Sequence, residues 1–167
     1  MTTARNRLDG KVAIVTGAAM GMGAATARVM AGYGAQVVVS DIDRNGGEAA
    51  VEAIRAAGGE ARFVPCNVAD EAQVAALVAA TVDAYGRLDC AVNNAAITPD
   101  TRPIAEADMA EWDRVIDVDL RSVMLCMRHE IRQMLAQGHG GAIVNISSVS
   151  GVRPQPANSA YVAAKHG

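Results

Sequence analysis

The sequence predicts an α/β fold, a doubly wound parallel sheet with helices on both faces. Three observations predict it. Short apolar, β-rich runs alternate with longer helical patterns along the 167 residues. Several runs carry almost no polar interruption, as strands covered on both faces require. A glycine cluster stands between the first run and the first helix, at the carboxyl edge where such sheets bind ligands.

The strand runs are Val12-Ala13-Ile14-Val15, Val37-Val38-Val39, Arg62-Phe63-Val64, Leu88-Asp89-Cys90-Ala91-Val92 and Ala142-Ile143-Val144-Asn145-Ile146. Helical patterns cover about 22–32, 45–57, 71–85, 108–137 and 159–166. Gly34, Gly58, Gly86 and Gly138 follow the first four, where a C-cap favours positive φ. The long fourth helix carries an apolar stripe: Trp112, Val115, Ile116, Val123, Met127, Ile131 and Met134. Asp119 falls on that stripe, where a poorly solvated carboxylate wants a cation or donors. A doubly wound nucleotide fold has about six strands. The last strands are missing here, so residues 1–167 are expected to be a single domain truncated at its C-terminus.

Hydrophobic residues at 51% and charged residues at 20% exclude a disordered chain. Aromatics are only 3%, so the core is expected to be Ala, Val, Ile, Leu and Met. The net charge of -3 comes from acids and bases spread evenly, which argues against a nucleic-acid or membrane-surface partner. The longest apolar run is too short to span a bilayer, and the first residues do not read as a signal peptide. Cys66, Cys90 and Cys126 are an odd count without metal spacing, read as buried thiols in a reducing cytoplasm. The histidines are scattered, so no metal site is expected.

The loop Thr16-Gly17-Ala18-Ala19-Met20-Gly21-Met22-Gly23 joins the first strand to its helix. Glycines there allow a tight turn, a close approach of phosphate to backbone, and close packing of helix on strand. The helix N-terminus adds unpaired N–H groups and a partial positive charge for a pyrophosphate. The second strand ends at Asp41, near the position where an acid accepts hydrogen bonds from an adenosine ribose. A carboxylate there repels a 2′-phosphate, which argues for NAD over NADP. Capping of the next helix is the alternative for Asp41, and Asp43 could do that instead.

Together these features resemble the short-chain dehydrogenase/reductase family. Its glycine pattern is Gly17, Gly21 and Gly23 after Thr16; its NNAG motif is Asn93-Asn94-Ala95-Ala96, with Ala at the last position; its YxxxK motif is Tyr161 to Lys165. The family's serine falls on Ser148, with Ser147 the competing candidate. The structural Asn of the long helix is Asp119 here, and the Asp near the adenine is Asn67, followed by Val68. The resemblance implies a Rossmann-type sheet and a nicotinamide coenzyme. It implies cofactor contacts from Gly17, Gly21, Met22, Gly23, Asp41, Asn67, Val68, Asn93, Ala95, Tyr161 and Lys165, and catalysis by Ser148, Tyr161, Lys165 and Asp119. It also implies a small-molecule alcohol or ketone substrate, and a homo-oligomer at full length that pairs the 108–137 and 159–167 segments.

In the family, hydride transfer is accompanied by proton transfer through the tyrosine. A free phenol titrates near 10, and a neighbouring cation favours the phenolate. Lys165 lies at i+4 from Tyr161, on the same helix face. The only other lysine is Lys11. Ser148 is expected to bond the substrate oxygen. Asp119 is expected near Lys165, partly cancelling its charge; the alternative leaves its side chain idle and uses its backbone carbonyl. The expected function is NAD-dependent oxidation of a secondary alcohol or reduction of a ketone. The alternatives are a non-catalytic nucleotide-binding fragment and an NADP-dependent carbonyl reductase. The rims at Thr98–Arg102 and Val152–Asn158 do not identify the substrate.

Overall fold

β1 (Val12–Thr16) is buried along its whole length, because strands flank it on both sides and helices cover both of its faces. The structure is a computed structural model that describes residues 8–97 and 101–167. Thr98–Asp100, part of one expected rim, lie outside the described residues. After β1 come α1 (Gly21–Gly32), β2 (Gln36–Asp41), α2 (Arg44–Ala56), β3 (Glu60–Pro65), α3 (Glu71–Tyr85) and β4 (Cys90–Asn93). Then follow α4 (Met109–Ile116), α5 (Ser122–Ala136), β5 (Ala142–Asn145) and α6 (Ser159–His166).

The described strands form one parallel sheet in the order β3-β2-β1-β4-β5. The order reverses direction between β1 and β4, which opens a crevice at their carboxyl ends. Neighbouring residues of β1 show why both faces are apolar. Ile14 packs with Leu77, Leu88, Leu125 and Met134 on the α3–α5 side. Val15 packs with Ala27, Ala31, Val51 and Ile54 on the α1–α2 side. The two-residue period of a strand sends successive side chains to opposite layers.

The helix expected over 108–137 is interrupted. α4 runs into a π-type segment, Asp117–Arg121, before α5 begins. The Ser122 hydroxyl bonds the Val118 carbonyl in that wide turn. One extra residue turns the following helix by about 100°. The buried face of α5 is therefore Ser122, Leu125, Cys126, Glu130 and Met134, and Ile131 is 40% exposed. The continuous stripe through Val123, Met127 and Ile131 assumed an unbroken period, and the wide turn breaks it.

β5 falls within the expected run Ala142–Ile146 and lies at the edge of the described sheet. It pairs only with β4, so it is an edge strand, and Val144 is 52% exposed. No helix among the described residues is long and apolar enough to cross a membrane.

Candidate active site

The first half of the site is built where β1 meets α1. Gly17 has a φ of +63°, and a Cβ on it would meet the Ala95 Cα at 2.7 Å. A Cβ on Gly23 would collide with the Gly17 carbonyl. Both positions therefore exclude any side chain, and α1 packs directly under the loop. Asn94 binds the loop to β4: its Nδ2 donates to the carbonyls of Thr16 (2.9 Å) and Gly17 (3.1 Å). Its backbone N–H donates to Thr16 Oγ1 at 3.0 Å.

Side-chain caps differ along the chain. Asp43, Asp70 and Asp108 accept first-turn N–H bonds of α2, α3 and α4. Met20, at the start of α1, offers no side-chain acceptor. No side chain caps α1, so its first-turn N–H groups are left for an anion.

Gly17, Met22, Asp41, Asn67, Val68 and Ala95 line one cleft of about 390 Å³. The structure so brings together six residues expected to touch the coenzyme. Asp41 braces the loop as well: Oδ2 accepts from the Ala19 N–H at 2.9 Å and Oδ1 from the Asp43 N–H at 3.0 Å. Gly21 begins α1, and Gly23 is buried beneath Gly17. Asn93 stands behind the cleft. Its amide is buried and donates to Glu130 (3.1 Å) and Asn145 (3.0 Å).

The second half lies on α6. Tyr161 and Lys165 do not line the 390 Å³ cleft. Lys165 is 6% exposed at its side chain, and its Nζ sits 5.4 Å from the centre of the Tyr161 ring. Nζ also lies 3.5 Å from the Ile146 carbonyl and 3.3 Å from Asp119 Oδ2. The last contact is an ion pair by distance but lacks the alignment of a hydrogen bond. Asp119 Oδ1 accepts from the Ile97 N–H at 2.9 Å. Burial raises the Asp119 carboxyl above its ordinary range, more than the Ile97 N–H and the Lys165 ammonium lower it. The π-type turn aims this carboxylate at α6, and α4 supports α6 through Val115, Ala160 and Ala164, with Tyr161 packed against them.

Ser147 and Ser148 separate by their bonds. Ser147 donates its hydroxyl to the Lys165 carbonyl at 3.1 Å, fastening the loop to α6. A Cβ on Gly151 would stand 2.6 Å from that hydroxyl, so the same loop is pressed onto the helix. The Ser148 oxygen accepts from the Ser150 N–H at 3.2 Å, which leaves its own proton to donate.

Two residues that position the site were not among the expected site residues, although Asn94 stood within the NNAG motif. Asn94 was readable from strand alternation, since Asn93 and Asn94 must face opposite ways. Glu130, three residues after Met127 and four before Met134, lies on the expected stripe, and the signal that singled out Asp119 could have found it. Among the described residues, no cluster of His, Cys, Asp or Glu could hold a metal ion.

Residues 11–167 match the sequence model of the short chain dehydrogenase family. The chain belongs to that family. It is 48% identical over 161 residues to the short chain dehydrogenase/reductase astE of Aspergillus oryzae, covering 96% of this chain and 62% of that protein. It is 47% identical over 157 residues to a cis-4-hydroxycyclohexanecarboxylate dehydrogenase of Sinomonas cyclohexanicum, covering 94% of this chain and 62% of that protein. A crystal structure of a short chain dehydrogenase from Mycobacterium smegmatis superimposes with a TM-score of 0.92 at 42% identity, covering 96% of this chain and 67% of that one. This short-chain dehydrogenase sequence thus spans about 62% of the length of the curated relatives it matches.

Proposed function

We propose that this chain holds the coenzyme-binding and proton-transferring parts of an NAD-dependent oxidoreductase that interconverts a secondary alcohol and its ketone. One observation carries the reading. Lys165 is buried against the face of Tyr161, four residues before it on α6, with Asp119 behind it. An ammonium held there sets a positive charge beside the phenol proposed to pass the proton.

The residues present suit a dinucleotide. The uncapped start of α1 and the bare backbone at Gly17 suit a pyrophosphate. Asp41, on the cleft wall, suits the ribose diol of NAD and disfavours a 2′-phosphate. Val68 and Ala95 offer apolar walls, with Gly21, Met22, Gly23 and Asn67 completing the cradle. The coenzyme, when bound, supplies the redox chemistry of hydride transfer.

Each protein group then has one task. Ser148 donates a hydrogen bond to the substrate oxygen, and that bond strengthens as charge develops on it. Tyr161 takes the alcohol proton at its phenolic oxygen, or returns it to the alkoxide in reduction. Lys165 binds the nicotinamide ribose and holds the Tyr161 charge. Asp119 fixes Lys165 in place, and Asn93 supports the cleft from behind.

A relative 47% identical to this chain is named for a hydroxylated cyclohexane acid. Ring-borne secondary alcohols are accordingly the first substrates to test. The free thiols Cys66, Cys90 and Cys126 suit a reducing compartment, and we assign the protein to the cytoplasm. At full length we assign it to a homo-oligomer. The deciding experiment incubates the natural-length protein with cyclic secondary alcohols and either NAD or NADP, following the absorbance of reduced coenzyme. Reduction of NAD that is lost in Tyr161→Phe supports the reading. Full turnover in Tyr161→Phe, or turnover with NADP alone, refutes it.

A further inference from the structure

The mechanism leaves one buried carboxyl unused. Glu130 lies on the buried face of α5, one turn after Cys126 and one before Met134, and is 2% exposed. Its Oε2 accepts from Asn93 Nδ2 at 3.1 Å. The other hydrogen of that amide serves Asn145 Oδ1 at 3.0 Å. Both amide donors of Asn93 are thus used, yet its Oδ1 is buried without a partner. Native structures rarely leave such an acceptor unsatisfied.

The surroundings offer Glu130 no countercharge. On α5 the titratable neighbour is the Cys126 thiol, which burial holds protonated. Cys66, at the end of β3, is a buried thiol raised to about 11 by burial. α3 contributes Val74, Leu77 and Val78 to this layer, β4 contributes Ala91, and β5 contributes Ile143. Arg128 and His129 turn outward to Glu71 of α3. Among the described residues no cation pairs with Glu130. Burial pushes its carboxyl up to about 7, against a smaller lowering by Asn93.

A carboxylic acid presents one acceptor and one donor. That is the complement of an amide edge whose N–H is bonded and whose oxygen is not. We propose that Glu130 is a positioning residue that works as a neutral carboxylic acid, accepting from Asn93 Nδ2 and donating its proton to Asn93 Oδ1. Asn93 precedes Asn94, which grips the Thr16 and Gly17 carbonyls, and its own carbonyl accepts from the Ile146 N–H. The acid therefore secures the strand end from which the glycine loop is held. Loss of the proton orphans Oδ1, places a carboxylate in the apolar layer, and loosens the coenzyme cradle. This consequence rests on the dinucleotide reading above; the protonation itself does not.

Two measurements on the natural-length protein test it. Difference infrared spectroscopy compares the native protein with Glu130→Gln. A protonated-carboxyl band present in the native protein at about pH 6, fading toward about pH 8.5 and missing from the variant, is expected. Its absence overturns the proposal, whether or not a coenzyme binds. Carboxyl-carbon NMR of the native protein covers a variant that fails to fold: every glutamate titrating in the ordinary range overturns the proposal.

Calorimetry with NAD then tests the consequence. Native affinity is expected to fall about fivefold between pH 6 and pH 8.5. Glu130→Gln, whose amide offers the same one donor and one acceptor, is expected to keep the low-pH affinity throughout. Equal pH dependence in both proteins overturns the role in coenzyme binding. Binding of NAD to neither, at any pH, overturns the dinucleotide reading, and the infrared band then decides the protonation alone.

Discussion

Asp119 Oδ2 lies 3.3 Å from Lys165 Nζ, with 0% of the Asp119 side chain and 6% of the Lys165 side chain exposed. In the proposed mechanism, a carboxylate so close partly cancels the charge that Lys165 presents to Tyr161. Asp119→Asn keeps an oxygen for the Ile97 N–H and removes the negative charge. In the proposed mechanism the pH–rate profile of alcohol oxidation is expected to shift to lower pH. An unchanged profile means the Asp119 side chain does not act through Lys165.

The same pair makes a stability prediction. Lys165→Met leaves Asp119 buried without its cation, and is expected to destabilise by roughly 3 kcal/mol. Lys165→Met with Asp119→Leu removes both charges, so part of the loss is expected to return in urea unfolding. In the proposed mechanism the double variant is expected to remain inactive, because both proteins lack the Lys165 ammonium.

The glycine loop separates packing from backbone freedom. A methyl group at Gly23 collides with the Gly17 carbonyl, whereas one at Gly32 meets nothing within 4 Å. Gly23→Ala is expected to weaken NAD binding at least about tenfold, or ~1.4 kcal/mol. Gly32→Ala is expected to raise stability by about 0.5–1 kcal/mol, with NAD affinity unchanged. Isothermal titration and thermal unfolding measure both.

Asp41 serves the loop and, in the proposed reading, the ribose. Asp41→Ala removes acceptors from the Ala19 and Asp43 N–H groups, so NAD affinity is expected to fall. It also removes the charge that repels a 2′-phosphate. The ratio of kcat/KM for NAD over NADP is expected to drop about tenfold or more. A constant ratio with lower affinity for both would assign Asp41 to the loop alone.

Glu130 gives stability a pH dependence with a defined sign. Its folded carboxyl titrates near 7, above the ordinary 4.5, so the folded state holds the proton more tightly than the unfolded chain. Stability contributed by that proton is complete below about pH 4.5 and is lost as pH rises through about 7. The loss amounts to roughly 3 kcal/mol. Glu130→Gln is expected to unfold with no such slope in that window. An identical slope in urea titrations would remove Glu130 as the cause.

Much of this molecule was legible beforehand because apolar runs and glycines report backbone geometry directly. Val12–Val15 and Val37–Val39 could only be covered strands, and Gly17 and Gly23 stand where no Cβ fits. The approach of Asp119 to Lys165 was also readable, since a carboxylate on an apolar stripe needs a partner. The buried face of α5 was not. A wide turn at Asp117–Arg121 leaves no mark in composition, and it rotates everything after it. Glu130 nevertheless stands between Met127 and Met134 of the expected stripe, and a carboxyl there could have been singled out as Asp119 was. The turn of the Asn93 amide away from the cleft follows from its partner Glu130, a pairing between distant elements that no spacing announces.

The most direct measurement is a crystal structure of the natural-length protein with NAD. The cleft wall at Asp41, the start of α1, and Lys165 on α6 should then mark the path of a single coenzyme. Adenosine is expected against Asp41, diphosphate at Gly21 and Met22, and the pyridine ring within reach of the Tyr161 hydroxyl. A coenzyme bound elsewhere, or a ring remote from Tyr161, would contradict the account.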